Sequence, residues 1–214
     1  MDQYYKEFLK LLEDEKKYEC VKYVKELLEE KKITIPDLYE KIIGPSLKNV
    51  GCKVDDKNIC VWQEHVRSAI IKTVIENCYT YVIEESNKNK DIEKGKVVVL
   101  CPEEEYHDIG ARMIADFFLI LGYDAIFVGS DTPKTDFLAA IEYIKPKYAV
   151  ISVTNYYNLV AAKEAIENIK NNTTEEVKII VGGNAFKSNR GVYVKIGADI
   201  LINTFKDIQN LGGV

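Results

Sequence analysis

The chain has 214 residues, 47% of them hydrophobic and 29% charged, with a net charge of −5. This is a globular composition, long enough for one large domain or two small ones, and its acidic balance points away from a nucleic-acid surface. The longest apolar runs are strand-sized, such as Val97–Leu100, far short of the roughly 20 residues that cross a bilayer. The opening MDQYYKEFLK has no apolar core and is not a signal peptide.

Residues 1–86 read as helices only. Gln3 to Cys20 places Phe8, Leu11 and Leu12 on one face, and Val21 to Glu30 repeats the pattern with Val24, Leu27 and Leu28. Thr34 is a candidate cap with Pro36 in the first turn of the next helix, which ends near Gly51. A polar turn, Asp55–Asn58, precedes a long helix from about Ile59 to Glu85. Its stripe is Val61, Val66, Ile70, Val74, Cys78 and Val82, the face one helix buries in a bundle. Residues 87–95 are polar and read as a linker.

From residue 96 to 214 short apolar strands alternate with helices. Strands are expected at Val97–Cys101, Ala125–Val128, Ala149–Val153, Val177–Val181 and Ala198–Ile202. Helices are expected at Ala111–Leu121, Phe137–Ile144 and Leu159–Ile169. That alternation describes parallel βαβ units, and we expect a flavodoxin-like five-stranded sheet of order 2-1-3-4-5. The five cysteines (Cys20, Cys52, Cys60, Cys78, Cys101) are odd in number and lack C-x-x-C spacing. They read as reduced thiols of a cytoplasmic protein, with Cys101 simply buried.

Ligands of open α/β sheets sit beyond the carboxyl ends of the strands. The loops there are Pro102–Gly110, Thr154–Asn158 and Gly182–Asn184. The first holds Glu105 and His107, two apart, with Gly110 three further on. A metal-ligating imidazole commonly gives its other nitrogen to a carboxylate, which fixes its tautomer; an idle loop histidine would look the same in this stretch alone. The other histidine, His65, follows Glu64 and lies three residues after Trp62, the single tryptophan. Those residues also fit a solvated helix face beside a core tryptophan.

Together these residues resemble the cobalamin-binding domains of methionine synthase, of corrinoid methyl-carrier proteins and of light-sensing adenosylcobalamin-dependent regulators. The family pattern Asp/Glu-x-His-x-x-Gly stands here as Glu105-Tyr106-His107-Asp108-Ile109-Gly110. Ser-x-Leu/Thr stands as Ser152-Val153-Thr154, and Gly-Gly as Gly182-Gly183. The segment from Val128 to Pro133 is also similar to the family. The resemblance covers essentially the whole chain and implies a four-helix cap over the upper corrin face. It implies that the cobalamin's own base leaves cobalt and enters a slot lined by Ser152 and Thr154, with room for the nucleotide tail at Gly182 and Gly183. His107 would be the lower cobalt ligand and Glu105 its partner.

Glu105 and the Asp131-Thr132-Pro133 segment lean toward the sensory branch. The sensor cap carries a Trp, then nine residues, then Glu-His, with a histidine directly after the Trp. Glu64-His65 matches the pair, but Val54 and Asp55 replace the Trp-His. Trp62 is the candidate stand-in beside the upper face, and His65 the candidate upper ligand. Three roles are implied: a cobalamin sensor or photoreceptor, placed first; a methyl-carrier subunit of a methyltransferase system; and a cobalamin store. The cofactor would be adenosylcobalamin or methylcobalamin. Partners would be a second copy, a methyltransferase or a signalling protein, with no membrane and no direct nucleic acid.

Overall fold

A computed structural model describes residues 1–49, 57–89, 93–173 and 176–211. The chain divides into two compact units, Met1–Glu85 and Ser86–Val214.

The first unit is helical. It comprises α1 (Asp2–Glu13), α2 (Lys17–Glu29), α3 (Ile35–Leu38), a π-helical turn (Tyr39–Ile43), α4 (Gly44–Asn49), α5 (Lys57–Asn77) and α6 (Tyr79–Ser86). Its core is Phe8, Leu12, Val24, Leu38, Ile42, Ile71, Val74 and Val82 with their neighbours. Thr34 caps α3 as expected: its hydroxyl accepts from Asp37 N at 3.2 Å, and Asp37 closes a capping box.

The expected single helix from Gln3 to Cys20 is two. The chain turns at Glu15 (φ 57), where Lys16 N donates to Leu11 O at 3.0 Å and Glu15 N to Leu12 O at 3.0 Å. This is a helix-ending turn made without glycine, so no residue type marks it. The long helix is likewise interrupted at Cys78. Its stripe also begins later than expected. Ile70, Val74, Cys78 and Val82 are buried, whereas Val61 is 55% exposed. The buried place one turn earlier is taken by Arg67, which donates to Glu13 O at 3.3 Å. Cys20, Cys78 and Cys101 are free and buried, but Cys60 is disulfide-bonded, against the expectation of reduced thiols throughout.

The second unit is an α/β sandwich. Its strands are β1 (Lys96–Pro102), β2 (Asp124–Thr132), β3 (Tyr148–Ser152), β4 (Lys178–Gly182) and β5 (Ile200–Ile202). Its helices are α7 (Ile109–Ile120), α8 (Lys134–Ile144), α9 (Leu159–Asn172), α10 (Val192–Lys195) and α11 (Phe205–Asn210). All strand pairs are parallel, in the expected order β2-β1-β3-β4-β5. The central strands are buried along their length, which is why they read as continuous apolar runs. On one face Val98, Leu100, Ile151 and Val181 pack with Phe137, Ile141, Ile166 and Phe186.

Strand β2 runs four residues further than expected, to Thr132. Its pairing with β1 shifts register between Val99 and Leu100, and again before Pro102. Gly129 (φ 122) lies at the first shift. Such irregularities bend a strand and re-aim its end. Here they carry Asp131 alongside the loop that follows β1.

Candidate functional site

Because β1 and β3 are adjacent and parallel, their carboxyl ends open on the same edge, beside that of β4. The loop after β1 starts with a tight turn in which Glu105 N donates to Pro102 O at 3.0 Å. That turn directs the Glu105 side chain inward, where it is fully buried.

The Glu105 carboxylate is the centre of the site. Its Oε1 accepts from His107 N at 3.0 Å and lies 2.6 Å from His107 Nδ1. Its Oε2 accepts from Thr154 N and Asn155 N, each at 2.9 Å. Burial is the largest single influence on this carboxyl and would push its pKa up. The hydrogen bonds from Asn155 N, the His107 ring, His107 N and Thr154 N together outweigh burial and hold the pKa below the ordinary value. The group is therefore an anion at neutral pH, and as an acceptor-only partner facing Nδ1 it favours the His107 tautomer that carries its proton there. Nε2 is then left with its lone pair. The His107 side chain is 58% exposed, although its partner has no exposure at all.

The other residues of this loop form the start of α7. Tyr106 is exposed, and Asp108 N donates to Tyr106 O at 3.1 Å. Asp108 stands at the N-cap position and Ile109 is buried beneath it. A Cβ built at Gly110 would meet nothing within 4 Å among the described residues, so none of these demands glycine there. Cys101 is buried, its thiol 3.8 Å from His107 O.

Ser152 and Val153 are buried at the end of β3, and Thr154 is half-buried. The glycine pair has its own structural reason. A Cβ on Gly182 would come 2.9 Å from Ile202 O, and one on Gly183 (φ 109) would come 2.3 Å from Val153 O. Both glycines thus let the ends of β4, β5 and the β3 loop close on one another.

Sequence reasoning missed three residues that hold the loops together. Asp131 Oδ1 accepts from Glu104 N at 2.8 Å, and Asp131 N donates to Glu105 O at 3.1 Å. Asn158 Nδ2 donates to Glu104 O at 3.1 Å, and Asn155 completes the Glu105 cradle. The available signal was an Asp near the end of one strand and two Asn just beyond the end of another, but their partners are known only once the strands are ordered.

In the helical unit, Trp62, Glu64 and His65 are all exposed on the early turns of α5, Trp62 by 58%. Trp62 is therefore not a core residue. His65 Nδ1 lies 2.8 Å from Val61 O within the same helix. Val54 and Asp55 lie outside the described residues. Among the described residues no helix is long and apolar enough to cross a membrane, and no cluster of three or more His, Cys, Asp or Glu could hold a metal ion by itself.

Sequence profiles of the B12 binding domain match residues 95–208 and, for the N-terminal part, residues 4–79. The chain belongs to the B12 binding domain family. It is a corrinoid-binding protein with the helical unit and the Rossmann-like domain of that family. A corrinoid protein of Desulfitobacterium hafniense (strain Y51) is 29% identical over 119 residues, 55% of this chain and 54% of the relative. The chain thus matches about half the length of such curated relatives. The monomethylamine corrinoid protein of Methanosarcina barkeri has a similar fold, with a TM-score of 0.80 over 99% of this chain and 97% of that one, at 18% identity. A chain of the methanol:cobalamin methyltransferase complex of Methanosarcina barkeri superposes with a TM-score of 0.52 at 19% identity, over 100% of this chain and 79% of that one.

The residues fit a corrinoid on two structural grounds. One is an accessible imidazole whose second nitrogen is tied to a buried carboxylate, the arrangement of a metal-ligating histidine. The other is the open space beside Gly110, three residues on.

Proposed function

We propose that this protein is the corrinoid carrier subunit of a methyltransferase system, holding its cobalamin with His107 as lower cobalt ligand. The observation that carries the proposal is the Glu105–His107 pair: a buried carboxylate 2.6 Å from Nδ1, which leaves Nε2 of an accessible imidazole for cobalt. The corrinoid, when bound, supplies the methyl-transferring centre, and the protein supplies binding, orientation and electrostatics. Glu105 sets the tautomer of His107. Gly110 leaves space for the ring, and Ser152, Val153 and Thr154 line the slot for the displaced base. The carrier role is placed ahead of the sensor role because the similar proteins include a corrinoid protein, a monomethylamine corrinoid protein and a chain of a methanol:cobalamin methyltransferase complex. Its partner would then be a methyltransferase.

Apo-protein should retain methylcobalamin with a base-off, His-on visible spectrum. His107→Ala should abolish that spectrum and weaken retention at least about tenfold. With 15N-labelled histidine, the superhyperfine splitting of the cobalt(II) form should change, since the nitrogen comes from the protein. A label-independent splitting sinks the ligand assignment. Green light on the adenosylcobalamin-loaded protein should leave its oligomeric state unchanged; a light-driven change of assembly would move the sensor role to first place.

Gly110→Leu separates space from fold. Apo-stability should stay equal or rise by up to about 1 kcal/mol, because glycine is the poorer helix residue. Cofactor retention should fall by at least about tenfold, the cost of overfilling a contact. Unchanged retention in equilibrium dialysis would remove Gly110 from the site.

A further inference from the structure

Among the described residues, five that are not glycine have left-handed backbone: Glu15, Lys31, Glu104, Asp131 and Lys145. Glu15, Lys31 and Lys145 stand one or two residues beyond the ends of α1, α2 and α8, where a left-handed residue closes a helix. Glu104 (φ 65) and Asp131 (φ 52) have no such reason. Glu104 lies in the loop after β1 and Asp131 near the end of β2, and they are bound to each other. Glu104 N donates to Asp131 Oδ1 at 2.8 Å, and Asp131 N returns a bond to Glu105 O at 3.1 Å. These two bonds grip the peptides on either side of the one that joins Glu104 to Glu105. Asn158 Nδ2 holds its Glu104 oxygen at 3.1 Å from the β3 side.

Left-handed non-glycine residues cost free energy and persist where surrounding contacts over-determine them. Two of them locked together, directly before the carboxylate that orients His107, make a clamp. We propose that Asp131 is a positioning residue for the cobalt ligand: it holds Glu104 N and Glu105 O, on either side of the Glu104–Glu105 peptide, so that the Glu105 carboxylate meets Nδ1 of His107 before any cofactor arrives. This rests on His107 being the ligand, but the clamp itself acts on the apo-protein. Asp131 touches neither cobalt nor the imidazole; it acts through the backbone of Glu105.

Two substitutions separate its functions. Asp131→Asn keeps an acceptor oxygen and tolerates the left-handed backbone. Asp131→Gly keeps the backbone and loses the acceptor. The first readout is the imidazole tautomer of apo-protein by long-range 1H–15N NMR, which is simple because the chain has two histidines. The second is the His-on fraction of the methylcobalamin-loaded protein. Wild type and Asp131→Asn should show His107 protonated at Nδ1 and a full His-on spectrum. Asp131→Gly should shift both equilibria by roughly three- to tenfold, the reach of one hydrogen bond. Asn158→Ala, which removes the second tie, should give a smaller shift in the same direction and serves if Asp131→Gly does not fold. Wild-type tautomer and His-on fraction in both Asp131→Gly and Asn158→Ala would overturn the clamp. So would equal losses in Asp131→Asn and Asp131→Gly. A tautomer shift in Asp131→Gly together with no His-on spectrum in wild type would leave the clamp standing and remove the ligand assignment instead.

Discussion

Glu105→Gln is expected to destabilise the apo-protein by about 3 kcal/mol and to displace His107 from cobalt in the loaded protein. The reason is a count of acceptors. Oε1 faces two donors on His107, and Oε2 faces the Thr154 and Asn155 amides. A carboxylate has two acceptor oxygens and meets both pairs, whereas an amide has one and must turn its NH2 toward two donors. Glu105→Ala removes all four bonds and leaves a cavity in a fully buried place, so it should cost at least as much. Urea unfolding of the apo-variants measures this, and the visible spectrum of the loaded variants reports the ligand.

The pH dependence has a defined sign. The folded pKa of Glu105 lies below the ordinary value, so its contribution is present above the unfolded pKa of about 4.3. It is lost as pH falls through the lower folded value. The stability gap between wild type and Glu105→Gln should therefore be constant from about pH 7 to about pH 5 and narrow below about pH 4. A gap that stays constant to about pH 3 would mean that the charge contributes nothing.

Gly183→Ala is the second large effect, expected at about 3–5 kcal/mol or as outright failure to fold. Two costs add. The backbone at φ 109, ψ 178 belongs to a region open essentially to glycine alone. A Cβ there would also stand 2.3 Å from Val153 O, 2.9 Å from Val153 C and 3.0 Å from Val153 N. All three are backbone atoms, so no rotamer change relieves them. Nor can Val153 withdraw freely, since its N donates to Gly182 O at 2.9 Å and its O accepts from Ala185 N at 3.2 Å. Gly182→Ala should cost less, because its single close backbone contact is Ile202 O at 2.9 Å and its backbone is ordinary. Thermal unfolding of the two variants in parallel tests the ranking. A Gly183→Ala protein as stable as Gly182→Ala would show that the β3 loop gives way.

The sequence by itself determined the class of fold and the identity of the central pair. Buried parallel strands are apolar along their whole length, so β1, β3 and β4 were visible, and a sheet of such strands opens its loops on one edge. A carboxylate two residues before a histidine on that edge is a local pattern, and Glu105 and His107 could be singled out from it once the ordered motifs at the other strand ends were read with it. The tertiary structure decided what the carboxylate does with its second oxygen. The donors, Thr154 N and Asn155 N, are main-chain groups some fifty positions away, and backbone amides carry no sequence signature. It decided that Gly182 and Gly183 are required by Val153 and Ile202, whereas Gly110 is required by none of the described residues. A sequence cannot distinguish a glycine that makes room for its own chain from one that makes room for a ligand. It also decided the breaks at Glu15 and Cys78 and the exposure of Val61 and Trp62, because periodicity shows which residues share a helix face but not which stretch of that face is covered. Asp131 was least legible of all. Its role depends on an irregular strand end brought beside another loop, and such a meeting exists only once the strands have taken their places in the sheet.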